Sequence, residues 1–250
     1  MVRARSAFAG LMLVLGCSQS EFGADGGEQG ACVQGEARTG EATYYAADGS
    51  GNCSFDPSGE SPLLVAALSD ADYDGARACG SCVRVDGPEG SVDVRIVDRC
   101  PGCSAGDIDL SPDAFERIAP LSAGRVDATW REIPCEGQGG MRLHFKDGSN
   151  PWWTAIRVDR HRHAIDALAY RPSLSALAGR GWQARLRDAT AWTGMPRELY
   201  NYFVEGDGVG EGPIDVRILD VHGHELVVHD VMPDDDVEID TGEQLPSCAP

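Results

Sequence analysis

The chain has 250 residues, enough for one large domain or two of about 100 to 150 residues each. Its 31 glycines and short β-branched runs favour strands joined by many turns over long helices. With 40 acidic against 21 basic residues the formal charge is −19, which argues against nucleic acid, anionic lipid and acidic polysaccharides such as pectin as partners and leaves a neutral polymer as the better fit.

Arg3 and Arg5 precede an apolar run, Ala7 to Leu15, that is too short to span a bilayer. It ends Val14-Leu15-Gly16-Cys17, the pattern of a bacterial lipoprotein cleavage box; an ordinary signal peptide cut nearby is the alternative. Residues 1–17 are read as a leader, with Cys17 the lipidated residue. Its removal leaves 19 basic against 40 acidic residues, or −21. Ser18 follows the cysteine, so nothing obvious holds the protein at an inner membrane. The expected location is exported: lipid-anchored at the cell surface or outer membrane, or secreted. Residues 18–35 are polar and Gly-rich and read as a flexible tether.

Structure is expected from Gly40 onward. Glu41 to Tyr45 is a strand candidate. Ser81 to Asp86 and Ser91 to Asp98 alternate apolar and polar residues around the turn Gly87-Pro88-Glu89-Gly90, which predicts a hairpin. Ser111 to Ile118 reads as a short helix, with Ser111 as N-cap and Pro112 in the first helical position. Val126 to Ile133 is a further strand, and Cys135 closes the unit 36–135. After a Gly-rich hinge, 136–140, the cysteines stop until Cys248. The segment 141–250 offers strand candidates at Met141 to Lys146, Trp152 to Asp159, Ala164 to Tyr170, Trp182 to Asp188, Leu199 to Val204, Ile214 to Ile218 and Glu225 to Met232, which suggests a β-sandwich.

Without Cys17, eight cysteines remain: Cys32, Cys53, Cys79, Cys82, Cys100, Cys103, Cys135 and Cys248. An even number in an exported chain predicts disulfides. The pairs Cys79-x2-Cys82 and Cys100-x2-Cys103 also fit a four-cysteine zinc site, against which an oxidising compartment argues. His161, His163, His222 and His224 lie two residues apart in pairs and are read as surface or loop residues; no metal and no cofactor is expected.

Two constellations carry chemistry. In Val97-Asp98-Arg99-Cys100-Pro101-Gly102-Cys103 and Asp107-Ile108-Asp109-Leu110-Ser111, one acid ends a strand and another stands just before a helix. Paired carboxylates across a groove are the tools of glycoside chemistry, one protonated and one ionised; the plainer reading is a helix cap and a local ion pair. The second constellation is aromatic. Trp152, Trp153 and Tyr200 offer flat apolar faces that match the C–H face of a sugar ring; core tryptophan is the plainer reading. Adjacent residues on a regular strand point to opposite faces, so Trp152 and Trp153 can share one surface only at an irregularity such as Asn150-Pro151 provides.

These segments resemble the expansins and loosenins. Gly40-Glu41-Ala42-Thr43-Tyr44, Asp98-Arg99-Cys100-Pro101-Gly102-Cys103 and Asp109-Leu110-Ser111-Pro112-Asp113-Ala114-Phe115 resemble the first expansin domain, a six-stranded double-psi β-barrel shared in outline with rare lipoprotein A and family 45 glycoside hydrolases. Lys146 to Ile156 and Tyr200-Asn201-Tyr202-Phe203 resemble the second, an immunoglobulin-like β-sandwich of the family 63 carbohydrate-binding modules.

The resemblance implies an all-β, two-domain protein that binds cellulose, with xyloglucan or mixed-linkage glucan as related targets, and loosens the wall without hydrolysis. It implies a groove floor of Thr43, Asp98 and Asp109, with Asp109 in the place of the essential acid. It implies a carbohydrate-binding surface of Trp152, Trp153, Tyr200, Lys146 and Tyr44. It also implies the pairs Cys53–Cys79 and Cys82–Cys135, leaving Cys100 with Cys103 and Cys32 with Cys248. Hydrolase relatives carry a second acid in the first strand; here Thr43-Tyr44-Tyr45 has none, and Asp48 falls in a Gly-rich loop. Bacterial expansins commonly have an aromatic where Cys100 stands. A lytic transglycosylase or endoglucanase using Asp109, and a pure wall-adhesion module, are the alternatives. No nucleic acid partner, a monomer, and membrane contact through the lipid alone are expected.

Overall fold

The computed structural model describes residues 35–177 and 191–247. Six strands close a barrel in the order β1-β5-β2-β4-β3-β6: β1 (Arg38–Tyr44), β2 (Val65–Ser69), β3 (Cys82–Gly87), β4 (Gly90–Cys100), β5 (Ile108–Leu110) and β6 (Val126–Ile133). The pairs β1–β5 and β2–β4 are parallel and the other pairs antiparallel. This is the double-psi barrel.

Its interior is a layer of small and branched side chains, among them Ala42, Leu68, Val83, Val85, Ile96, Ile108 and Leu110, closed by Trp130, whose indole N–H reaches Gly106 O at 2.8 Å. Strands β2 and β5 were not expected. The first, Val-Ala-Ala-Leu-Ser, is buried throughout and so shows no alternation, and the second is only three residues long.

Helix α1 (Asp70–Tyr73) is capped by the Ser69 hydroxyl. Helix α2 (Pro112–Phe115) is shorter than the expected Ser111 to Ile118. Ser111 occupies the N-cap position, but its hydroxyl donates to Leu63 O at 2.5 Å rather than capping the helix.

The second half forms two antiparallel sheets packed face to face. One has the order β10-β9-β12-β13 and the other β11-β8-β7-β14. The strands are β7 (Arg142–Phe145), β8 (Thr154–Asp159), β9 (Ile165–Pro172), β10 (Thr193–Met195), β11 (Phe203–Glu205), β12 (Ile214–Asp220), β13 (Glu225–Val231) and β14 (Glu238–Asp240). Leu143, Phe145, Ile156, Val158 and Phe203 from one sheet meet Leu168, Ile214, Val216, Ile218 and Val231 from the other.

Two expected strands begin later: β8 starts at Thr154 rather than Trp152, and β11 at Phe203 rather than Leu199. The expected strand Trp182 to Asp188 lies outside the described residues, as do Cys17, Cys32 and Cys248. Among the described residues, no helix is long and apolar enough to cross a membrane.

Among the described residues, three disulfides join Cys53–Cys79, Cys82–Cys135 and Cys100–Cys103, so these cysteines do not form a zinc site. Barrel and sandwich touch through several contacts. Cys135 N–H donates to Arg162 O at 2.8 Å. The His161 ring lies so close to Gly80 that a Cβ there would stand 2.5 Å from Nε2. His161 and His163 are therefore not surface residues, as expected, but only 2% and 4% exposed. The reason is the apposition of the two halves and of the segment Gln244 to Pro246, to which Arg162 and His163 bond.

Candidate functional site

Four residues from four strands stand in register across the outer face of the barrel. Thr43 on β1 is opposite Asp109 on β5, Asp109 is opposite Ala67 on β2, and Ala67 is opposite Asp98 on β4. Their neighbours Ala42, Ile108 and Leu110 point into the core, so the pleat turns this row outward. The small Ala67 between the two acids leaves a shallow floor.

Thr43 Oγ1 donates to Asp109 Oδ1 at 2.6 Å. Burial raises the Asp109 carboxyl above the ordinary aspartate range; the Thr43 bond and Arg125 oppose the rise, and the Asp98 charge adds to it. A carboxyl so placed is suited to donate a proton or a hydrogen bond. Asp98 is held differently: its Oδ1 accepts the backbone N–H of Asn52 at 2.7 Å and of Arg99 at 2.8 Å. Arg99 itself pairs with Asp70 at 3.4 Å.

Tyr44 lies on the other side of β1 from Thr43, its ring 5.0 Å from Phe115 and its hydroxyl 3.4 Å from Leu121 O, so it is not part of this floor. Tyr45 is. Its buried hydroxyl has no hydrogen-bond partner among the described residues, and burial together with Asp98, Asp109 and Asp48 pushes its ionisation upward. Tyr45 was legible in the sequence only as the absence of an acid.

The aromatic residues lie on the sandwich. Asn150 to Trp153 forms a tight turn: Trp153 N–H donates to Asn150 O at 3.2 Å, and Trp152 N–H to Asn150 Oδ1 at 2.9 Å. Trp152 is 75% exposed at its tip and lines a cavity with Tyr170, Pro172, Thr193 and Val209. The half-buried Trp153 continues the outward row of β8 that holds Ala155 and Arg157.

The register pairs Val204 with Ala155, and by alternation Tyr202 lies on the same outward side. Tyr200 and Tyr202 rings are 5.9 Å apart, and Lys146 Nζ lies 5.8 Å from the Tyr202 ring. Trp153, Lys146, Tyr202 and Tyr200 therefore share one face. Trp152 stands at the edge of this face and Tyr44 outside it. Tyr202 is an addition to the expected set.

One loop joins the two surfaces. Gly51 lies so close to Asp98 that a Cβ would be 2.4 Å from its Cγ. Asn52 Nδ2 donates to Leu199 O at 2.6 Å and to Tyr73 Oη at 3.0 Å. Ser54 Oγ donates to Tyr200 O at 2.9 Å. Arg157 Nη1 donates to Ser54 O, and its guanidinium lies 5.1 Å from the Phe55 ring. The Cys53–Cys79 disulfide fastens this loop to the barrel. Groove floor and aromatic face thus meet at Gly51 to Phe55.

Comparison with known proteins agrees with this architecture. The family described as lytic transglycolase matches residues 65–130, which include Asp98 and Asp109 but not Thr43. The expansin YoaJ of Bacillus subtilis (strain 168) is 29% identical over 237 residues, covering 93% of this chain and 91% of that protein. Expansin-like protein 1 of Dictyostelium discoideum is 28% identical over 198 residues, 75% of this chain and 64% of the relative. Expansin-like protein 2 of the same organism is 27% identical over 75% of this chain, which spans 45% of that longer protein. The crystal structure of the Clavibacter michiganensis expansin superposes with a TM-score of 0.71 at 27% identity over 84% of this chain and 98% of that one. A variant of that expansin, solved in complex with cellohexaose, superposes equally well. In sequence and in fold, the chain resembles the bacterial expansins through both halves.

Proposed function

We propose that this expansin-like chain binds cellulose and related neutral wall glucans along the groove and the aromatic face, and loosens the wall by disrupting noncovalent contacts rather than by cutting. The reading rests on the loop Gly51 to Phe55, which places the floor row beside the aromatic face, so that one extended polymer can lie on both. Three groups fit non-hydrolytic action. Asp109 is raised and held by Thr43 as a hydrogen-bonding acid. Asp98 has an oxygen committed to two backbone N–H groups. The first strand and the residue after it supply hydroxyls, Thr43 and Tyr45, where a hydrolase would need a carboxylate.

The test is a wall-creep assay with cellulose-based strips, run beside product analysis. The protein should cause creep and bind cellulose while releasing no sugar. Asp109→Asn should abolish creep and leave binding nearly intact. Soluble products from the unmutated protein would overturn the non-hydrolytic reading, and binding without creep would make the chain an adhesion module.

A second reading, lytic transglycosylation with Asp109 as the only acid, is favoured by the family matched over residues 65–130. Anhydro-sugar products from peptidoglycan that vanish in Asp109→Asn would establish it. We further propose that the exported chain is held by lipid at Cys17. A Cys17→Ser variant that stays in the membrane fraction would refute this.

A further inference from the structure

A short connection joins the two groove acids, and its first residues close on themselves. Strand β4 ends at Cys100, just beyond Asp98, and β5 begins at Ile108, just before Asp109. Between them a disulfide ties Cys100 to Cys103 across Pro101 and Gly102. The bridge is local: it spans 3 residues, against 26 for Cys53–Cys79 and 53 for Cys82–Cys135.

Its surroundings differ from those of the other two described bridges. Cys53, Cys79 and Cys135 are buried, at 0%, 1% and 2% exposure. Cys100 and Cys103 are both partly exposed, and Pro101, Gly102 and Ser104 beside them are exposed. A Cβ added at Gly102 would meet nothing within 4 Å, so the outer side of this turn is open to a reagent. Thiol–disulfide exchange begins with a thiolate reaching a sulfur, so access selects among bridges.

The fold also holds the two ends of the connection differently. Toward Asp109, hydrogen bonds fix it: Ser104 N–H donates to Asp107 Oδ2 at 2.8 Å and Gly106 N–H to Asp72 Oδ2 at 2.6 Å, while Gly106 O accepts the Trp130 indole at 2.8 Å. Toward Asp98, Cys103 N–H donates to Cys100 O at 3.1 Å, and the disulfide is the covalent tie. Once reduced, Cys103 sits on an exposed turn and is free to leave Cys100. Reduced Cys53 and Cys79 would stay face to face in the core, and thiols held at high local concentration reclose readily.

We propose that Cys100–Cys103 is a thiol-exchange site, opened by a dithiol while the two other described bridges stay closed, and that opening it loosens the Asp98 side of the groove floor. One thiolate of the dithiol attacks a sulfur of the bridge and forms a mixed disulfide, and the other cysteine leaves as a thiolate. The second thiol of the reagent then displaces the first cysteine. Two electrons and two protons pass to the chain, and the dithiol becomes a disulfide. In an oxidising compartment the closed bridge is the resting form. The link to Asp98 is short. Cys100 ends the strand that carries Asp98, and Arg99 between them donates its N–H to Asp98 Oδ1 at 2.8 Å.

The test is graded reduction of the folded full chain with dithiothreitol, trapping with iodoacetamide, and peptide mapping of the alkylated cysteines. Cys100 and Cys103 should be alkylated together at about one tenth of the dithiothreitol that opens Cys53–Cys79 or Cys82–Cys135. In the selectively opened chain the Arg99 amide should exchange with solvent about tenfold faster, while the Gly106 amide keeps its protection. Reoxidation should restore slow exchange. A variant carrying both Cys100→Ser and Cys103→Ser should show the fast Arg99 exchange without any reductant. Should that variant misfold, graded reduction of the unmutated chain still decides. Opening of all three bridges over one range of dithiothreitol, opening of a long-range bridge first, or unchanged Arg99 exchange in the selectively opened chain would each overturn the proposal.

Discussion

Asp109 stands where its burial works against the stability of the fold. Burial, with the Asp98 charge, raises its folded carboxyl above 3.8, the value of the unfolded chain. As pH climbs through the window from about 3.8 to the folded value, the native state keeps a proton that the unfolded chain has released, so stability falls with rising pH there. Asparagine has no such ionisation and still accepts the Thr43 bond. Asp109→Asn should therefore be more stable than the unmutated protein at neutral pH, and the difference should vanish below pH ~3.8. Urea unfolding below, within and above the window measures it; parallel pH profiles would refute the account.

At the same scale, some roles were legible and some were not. The adjacent tryptophans demanded an irregular backbone, and the turn Asn150 to Trp153 supplies it. Tyr45 and Tyr202 were passed over because a hydroxyl or a ring becomes a site feature only when the residues around it are known. His161 and His163 looked like loop residues because their spacing says nothing of the barrel and the segment Gln244 to Pro246 that cover them.

At the scale of elements, the junction between groove and aromatic face depends on a few buried polar contacts. Arg157 is the centre of one such network, paired with Asp159 and lying over Phe55 at 5.1 Å and Tyr202 at 5.4 Å. Removing it leaves a buried carboxylate without its partner, so Arg157→Met should cost about 3–5 kcal/mol. A loss below about 1 kcal/mol would show that the pair contributes little.

The disulfides should differ in the same kind of assay. Cys53–Cys79 and Cys82–Cys135 span 26 and 53 residues and should each contribute about 3–4 kcal/mol through the unfolded chain. Cys100–Cys103 spans only 3 residues and should contribute less. A variant lacking Cys82–Cys135 that unfolds at the same urea concentration as the parent would contradict this ordering. Among the strands, those exposed on one face were legible from alternation, as in the hairpin β3–β4. Strands β2 and β5, buried or very short, carried no such signal.

At the scale of the whole molecule, charge decides which polymers can approach. The formal charge of −19 repels pectin-like chains, while a neutral glucan has no counterions to release. Cellulose affinity should change less than about twofold between low and high salt. Trp153→Ala and Tyr200→Ala should each weaken that affinity roughly three- to tenfold through lost ring stacking. Trp152→Ala should leave the fold intact, because 75% of this residue is already in water. Binding isotherms at two ionic strengths check the first expectation, and a steep salt dependence would point to a charged ligand. Isotherms and melting curves of the variants check the others; unfolding of the Trp153 variant would return that residue to the core.

The sequence by itself determined the all-β character through its strand patterns, and motifs that resemble the expansins pointed to a barrel followed by a sandwich. These follow from local patterns and from motifs whose residues lie near one another in the chain. Only the tertiary structure decided that Thr43, Asp109, Ala67 and Asp98 form one row, because their alignment depends on parallel pairings between strands far apart in sequence. Only it placed Trp152 at the edge of the face shared by Trp153, Lys146, Tyr202 and Tyr200, and Tyr44 outside it. Side-chain direction is set by strand register, and register is fixed by long-range pairing and burial, which no local stretch of sequence encodes.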